Sequence, residues 1–373
     1  MFNEYGKITE LIIGSPQNAM LPKFKDSFII SHQFDNILKL PYTSYNVPLH
    51  KLIKLLGHNT KKQISKVLPI PGYEYPSYII DGAKKESDNL ERILSTQYQI
   101  KCHRPDATKL NIMHFNNATS HFNCNNPRDV MFTYGENIYI TPMAEKSRYY
   151  ENLCYKDIIS QYYNSSNIVT IPKSKMKMKL YNVNNRYLTN NSDIVFDAAD
   201  ALKIGKHFFI QRSIVTNDVA INFMKQKLKN DGFKVHKLEF NEDYPHHIDA
   251  TLNTIKPGIF IENPTRPLLD KYMIQMKKCG WKFFKIPESR NMNGMLCSKW
   301  LNMNWLQVDE RHIVIEETEK ESIKFLESLG MKCIPVPYKK NYIFGGGLHC
   351  TTLDLKRENQ FPLDYGFESY CDL

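Results

Sequence analysis

Apolar and polar positions along the 373-residue chain repeat one composite pattern. A segment of helical period stops and is followed by a short strand-like run that ends near a proline or a turn. The pattern occurs as DNLERILSTQYQIKCHRP (88–105), KDIISQYYNSSNIVTIP (156–172), INFMKQKLKNDGFKVHKLEF (221–240), DKYMIQMKKCGWKFFKIP (270–287) and EKESIKFLESLGMKCIPVP (319–337). In the last three copies Gly232, Gly280 and Gly330 stand where the helix should end, about 50 residues apart, the spacing of an array of supersecondary units. Alternating stretches lie between the copies. DVMFTYGENIYITP (129–142) turns at Gly-Glu-Asn, HIDATLNTIKPGIFIEN (247–263) at Lys-Pro-Gly and NWLQVDERHIVIEE (304–317) at Asp-Glu-Arg, each reading as a hairpin. A hairpin, a helix and a returning strand, repeated five times, predict an α/β ring with helices outside and strand ends facing a central axis. GKITELIIG near the N-terminus adds a strand, and the rest of the first 50 residues reads as irregular surface. No Gly/Ser linker or low-complexity segment divides the array, so residues 1–373 are expected to form a single domain.

Composition narrows the class. Apolar residues make up 42% and aromatics 12%, enough for a packed core and unlike a disordered chain. No apolar run approaches the roughly 20 residues that span a bilayer. The first residues resemble neither a secretory signal nor a transit peptide, so a cytoplasmic protein, or one already trimmed, is expected. Eight cysteines without a CxxC pair fit reduced thiols better than a disulfide framework or a zinc knuckle. The spacing of Cys102, His103, His114, His121 and Cys124 matches no recognised metal-ligand pattern. The net charge of +10 raises the question of nucleic acid, but the lysines are dispersed among acidic residues, as on a solvated surface.

Reactive residue types recur beyond the returning strands, in NPRD (126–129), FDAAD (196–200), HHIDA (246–250), CSKW (297–300) and GGGLHC (345–350). Converging strand ends would gather Asp129, Asp197, His247, Asp249, Ser298 and Cys350 into one cavity. That set suits cysteine nucleophilic catalysis: a thiolate attacks, His247 serves as acid and base, and Asp197 orients the imidazole. Asp129 and Asp249 suit a planar cationic guanidinium, and Arg266 in NPTRP a substrate carboxylate. Each residue also has a plain structural reading. Cys350 could be a small buried side chain, His247 a core filler, Asp197 a helix cap, Asp129 a turn residue, and Arg266 and Ser298 ordinary surface groups. The glycines before Cys350 read as a flexible, side-chain-free approach for a substrate.

These segments together resemble the amidinotransferases, the family of arginine:glycine amidinotransferase. The likeness runs over nearly the whole chain: EYGKITELIIG, NPRD, ITPMAEKSRYYE (140–151), FDAADALKIGKHFFIQRSIVTN (196–217), HIDATLNTIKPGIF (247–260), NPTRP, SKWLNMN (298–304) and GGGLHC. The resemblance implies a five-bladed α/β propeller of the pentein type, no metal or organic cofactor, small-molecule substrates and a homodimer. By motif it implies Cys350 as nucleophile, His247 as acid/base, Asp197 as its partner, Asp129 and Asp249 on the guanidinium, and Arg266 on the arginine carboxylate, helped by Cys297 and Ser298. Glycine-specific members carry two serines where this chain has Cys297-Ser298, and Asn and Met where it has Tyr244 and His246.

The expected reaction moves the amidino group of L-arginine through an amidino-cysteine to a primary amine. Glycine is the first choice of acceptor, with lysine or an aminocyclitol phosphate as alternatives. A hydrolase on the same scaffold and a non-enzymatic nucleic-acid-binding protein are the rival readings.

Overall fold

The computed structural model describes residues 1–23, 25–28, 56–112, 120–173, 180–182, 185–289, 298–358, 366–367 and 370. All five expected units are present. Their helices are Ser77–Gln97, Lys156–Tyr162, Asp218–Lys229, Asp270–Lys278 and Lys320–Ser328. The strands that follow are Lys101–His103, Ile168–Thr170, Lys234–Leu238, Lys282–Lys285 and Lys332–Val336. Gly232, Gly280 and Gly330 end the last three helices with φ of 78°, 87° and 88°, the left-handed conformation that costs a residue with Cβ most.

Each returning strand pairs in parallel with the second strand of a hairpin, because the helix supplies the crossover that a parallel pair requires. The hairpin Met131–Tyr134/Asn137–Ile140 takes Ile168–Thr170, and Leu252–Lys256/Ile259–Glu262 takes Lys282–Lys285. Leu306–Gln307/His312–Glu316 takes Lys332–Val336. A further hairpin, Ala201–Ile204/His207–Gln211, takes Lys234–Leu238; it lies inside the stretch 196–217 and was not singled out by alternation. The fifth sheet joins the two ends of the chain: Thr352–Arg357 runs antiparallel to Ile8–Ile13, which pairs in parallel with Lys101–His103. Five three-stranded sheets of one topology make the α/β propeller of the pentein fold.

Helices cover these sheets through one apolar face. Leu90 and Leu94 of the first helix, fully buried, pack with Ile8, Leu11 and Ile13 of the strand it serves, each leucine contributing about 1.5–3 kcal/mol by leaving water. Aromatic residues pack against other sheets, with Phe132 stacked on its cross-strand partner Tyr139 at 4.7 Å and Trp281 against Phe260 and Phe367. The feature that positions the chemistry is smaller. A single helical turn precedes each of four hairpins: Pro127–Val130, Ala198–Asp200, Ile248–Ala250 and Leu301–Met303. Successive turns pack against one another. Residues in or beside them therefore meet, although about 50 positions separate them in sequence.

Candidate active site

Cys350 is buried immediately before the strand Thr352–Arg357. Its thiol donates to Asp249 Oδ2 at 3.2 Å and accepts from Asn304 Nδ2 at 3.2 Å, while its backbone N–H donates to Asn304 Oδ1 at 3.0 Å. The sulfur is thus aimed by one asparagine and one carboxylate. Burial, together with the negative charges of Asp249 and Asp129, pushes the thiol well above its ordinary range. In this state the sulfur holds its proton.

The glycine run serves close packing, which corrects its reading as a flexible approach. Gly346 and Gly347 are buried. A Cβ on Gly346 would lie 2.6 Å from Cys350 Cβ and 2.7 Å from Asn126 Oδ1, and one on Gly347 2.9 Å from Asn304. The missing side chains let Asn126 and Asn304 approach the backbone around Cys350.

His247 enters the site from an unusual backbone, φ 57° and ψ 123°, which a residue with a Cβ adopts only when its surroundings hold it there. Its Nε2 lies 3.3 Å from Asp197 Oδ2 and its Nδ1 3.8 Å from Asp129 Oδ1. Burial works to lower its pKa, but the carboxylates of Asp129, Asp197 and Asp200 outweigh that and hold the imidazole up at about 10. Asp197 is fixed in turn by the Ala144 N–H at 3.3 Å, and its own N–H donates to Thr216 Oγ1 at 3.2 Å. Ligand-type atoms of Asp129, His247 and Cys350 all lie within 4.8 Å of one another.

Two carboxylates flank the sulfur with capacity unspent. Asp129 Oδ2 accepts from Arg148 Nη1 at 2.8 Å, but its Oδ1 is buried without a hydrogen bond. Asp249 Oδ2 accepts from the thiol and from His349 Nδ1 at 2.8 Å, and its Oδ1 is likewise buried and unbonded. Burial raises Asp129 despite His247 and Arg148. Burial also acts to raise Asp249, yet His349 and His247 pull it below the ordinary carboxylate range. Two orphaned carboxylate oxygens beside one sulfur form a receptor for a cation that offers hydrogen bonds.

The other expected residues have contacts of their own. Arg266 Nε lies 2.9 Å from Glu242 Oε1. Ser298 Oγ accepts from the Trp300 N–H at 3.2 Å, so its observed contact is with the turn that follows it. Cys297 and His114 lie outside the described residues. The His246 ring packs tilted against that of His247, with centroids 4.0 Å apart, and burial, with His247, Arg148 and Arg266 nearby, keeps it well below its ordinary pKa. Tyr244 is 42% exposed at the edge of the same segment.

Four residues at the site were not singled out from sequence. Arg148 spans Asp129 and Glu151, whose oxygens accept from its Nε at 2.7 Å and Nη2 at 2.9 Å. Asn304 aims the sulfur and His349 holds Asp249. Asp200, behind Asp197, accepts from Ser213 and Thr216 at 2.5 Å each, and burial pushes it up to about 7. All four lie inside the segments ITPMAEKSRYYE, SKWLNMN, GGGLHC and FDAAD. Presence in a motif was their only signal, since none has a spacing that demands its role.

No protein-family model matches the chain. Among known proteins it is 32% identical over 304 residues to the L-arginine:L-lysine amidinotransferase of Pseudomonas savastanoi pv. phaseolicola, covering 78% of this chain and 82% of that one. It is 29% identical over 383 residues to the mitochondrial glycine amidinotransferase of Gallus gallus, covering 95% and 82%. Among solved structures, SxtG, an amidinotransferase of the saxitoxin biosynthetic pathway from Microseira wollei, superimposes with a TM-score of 0.81 at 27% identity, covering 97% of this chain and 98% of that one. With the five repeated sheets and the gathered cysteine, histidine and carboxylates, these likenesses give one conclusion: the chain belongs to the amidinotransferase family and is an enzyme that transfers amidino groups.

Proposed function

We propose that the enzyme moves the amidino group of L-arginine to glycine, giving guanidinoacetate and ornithine, through an amidino intermediate on Cys350. The observation that carries the donor half is the pair of buried, unbonded oxygens, Asp129 Oδ1 and Asp249 Oδ1, beside the sulfur. A guanidinium placed between them gives both oxygens partners and offsets the negative charge that keeps the proton on Cys350. The thiol proton leaves to solvent as the cation binds, and the thiolate attacks the guanidino carbon. The bond from that carbon to the side-chain nitrogen breaks, and the nitrogen takes its proton from protonated His247 and departs as the ornithine amine. The amidino-sulfur cation stays between the carboxylates. A neutral acceptor amine then attacks it, His247, now neutral, takes the amine's proton, and the thiolate is restored as the guanidino product leaves. Asp197 holds the imidazole throughout.

Glycine as acceptor is supported by the likeness to glycine amidinotransferases along 95% of the chain. The lysine-using relative favours lysine as the second reading, with an aminocyclitol phosphate behind it. A hydrolase would resolve the same intermediate with water. Arginine supplied alone separates these: citrulline marks hydrolysis, whereas ornithine turnover that depends on an added amine marks transfer. A panel of amine acceptors read by mass spectrometry then identifies the acceptor. Cys350→Ala protein that still released ornithine at the wild-type rate would sink the assignment. One catalytic domain of residues 1–373, a homodimer and a cytoplasmic location complete the proposal, tested by limited proteolysis, light scattering and fractionation. Among the described residues no helix is long and apolar enough to cross a membrane.

A further inference from the structure

The transfer steps use Cys350, His247, Asp129, Asp197 and Asp249, and leave one titratable side chain beside the sulfur without a task. His349 directly precedes Cys350 and is largely enclosed, its side chain 14% exposed. Its Nδ1 lies 2.8 Å from Asp249 Oδ2, the oxygen that also accepts from the Cys350 thiol, and its Nε2 lies 3.8 Å from Glu4 Oε2. The backbone fixes the ring: the His349 N–H donates to the Asn304 carbonyl at 3.0 Å, and the His349 carbonyl accepts from Arg128 Nε at 3.0 Å. Burial acts to raise Glu4, but Lys203 at 3.1 Å and Arg128 at 3.3 Å help bring it down to about 2, so it faces the ring as a carboxylate. Those two cations, with Asp354 on their far side, are the charged groups behind Nε2. Asp249, with the thiol beyond it, is the group at Nδ1.

A neutral imidazole has one N–H and one bare nitrogen, so between two carboxylates it would turn a lone pair toward one of them. Only the doubly protonated ring offers a proton to each side. We infer that His349 is a fixed imidazolium, clamped between Asp249 and Glu4, which anchors the Asp249 oxygen shared with the thiol and offsets its negative charge beside the sulfur. The inference rests on Cys350 as the nucleophile and Asp249 as a guanidinium partner, and it says what lets a thiol flanked by carboxylates give up its proton. With Oδ2 anchored, the unbonded Oδ1 of Asp249 is the oxygen left for the guanidinium. With a cation behind it, Asp249 repels the thiolate less. When arginine binds, the S–H bond breaks and its proton goes to solvent, while His349 keeps both of its own protons. His349 touches Asp249 and not the substrate, so it positions and does not react.

Two measurements test this. In the wild-type enzyme the nitrogen chemical shifts of the His349 ring, assigned through its own backbone, should show both nitrogens protonated at neutral pH. The single-turnover rate of ornithine release at saturating arginine should rise with pH along a limb set by the thiol in the arginine complex. His349→Asn can keep the hydrogen bond to Asp249 from the Nδ1 position but carries no charge. It should move that limb alkaline by about one pH unit, an adjacent opposite charge being worth about 1–3, and slow release about tenfold at neutral pH. Glu4→Gln should move the limb the same way by less, and the falling limb set by His247 should stay in place in both variants. Melting temperatures show whether the variants fold, and the wild-type spectrum decides if they do not. A His349 ring with one bare nitrogen, or a rising limb that stays put in His349→Asn while the rate falls evenly across pH, overturns the inference and leaves Cys350 as the nucleophile. A wild-type enzyme that releases ornithine without an amidino adduct on Cys350 sinks the catalytic reading itself.

Discussion

Asp129 and Asp354 are both fully enclosed aspartates, and their surroundings drive them in opposite directions. Asp354 spends both oxygens: Oδ1 accepts from Arg128 Nη2 at 2.6 Å and Oδ2 from Arg357 Nε at 3.0 Å, with Lys203 at 3.5 Å. Burial acts to raise it, but Lys203, Arg128 and Arg357 pull it well below the ordinary carboxylate range. Asp129 has Arg148 hydrogen-bonded to one oxygen and His247 Nδ1 3.8 Å from the other, which stays without a hydrogen bond, and burial raises it. A buried acid with all its capacity spent belongs to the scaffold. One that the fold leaves short of partners waits for a ligand.

The sharpest way to break this comparison is to neutralise each acid in turn. Asp354→Asn takes the carboxylate from Arg357 and leaves Lys203 and Arg128 with Glu4, and should cost about 3–5 kcal/mol of stability, read by urea melts, with activity falling only as the folded fraction falls. Asp129→Asn should leave stability unchanged or raised, because a carboxyl whose folded pKa is elevated costs free energy when ionised. Its ornithine release should nonetheless fall about 100-fold or more, the scale of a lost buried charge contact. Equal stability losses in the two variants would remove the distinction.

The pH dependence sharpens it. His247 is held up at about 10, so in the proposed mechanism its proton is available to the leaving amine below that pH and is lost as pH rises through it. Ornithine release by wild-type enzyme should therefore decline above about pH 10, and a decline near the ordinary histidine value would contradict the surrounding charges. On the scaffold side Glu4, bound by Lys203 at 3.1 Å and Arg128 at 3.3 Å, is lowered from 4.5 to about 2. Burial opposes the shift and Lys203 leads the groups that produce it. A depressed carboxyl stabilises above its unfolded pKa, so stability should drop as pH falls from 4.5 toward 2. Glu4→Gln should flatten that acid limb in thermal melts. The smallest effect expected is Gly346→Ala, whose Cβ meets Cys350 Cβ at 2.6 Å. Overpacking of this kind costs about 1–3 kcal/mol, and a nucleophile displaced by it should lose more in kcat than in melting temperature.

Much of this was legible in the chain because periodicity reports it. Five helix–strand units, the left-handed glycines and three hairpins follow from spacing and turn chemistry, and the pairing of Ile8–Ile13 with Thr352–Arg357 closes the ring they imply. Residues with a role at the site were legible where a motif named them. What spacing could not carry was which capacity is spent. Nothing in NPRD says that Asp129 keeps one oxygen free while Arg148 takes the other, and nothing in SKWLNMN says that Asn304 aims the sulfur. The glycine run shows the same limit: its composition reads as freedom, whereas its cause is the close approach of Asn126 and Asn304. Those facts depend on contacts between blades, which no local pattern encodes.

The most direct measurement is intact mass and peptide mapping of the enzyme after mixing with arginine and no acceptor. The account predicts one equivalent of ornithine and a single amidino group on Cys350, discharged when an amine acceptor is added. Ornithine formed without any adduct, or an adduct on another cysteine, would contradict it.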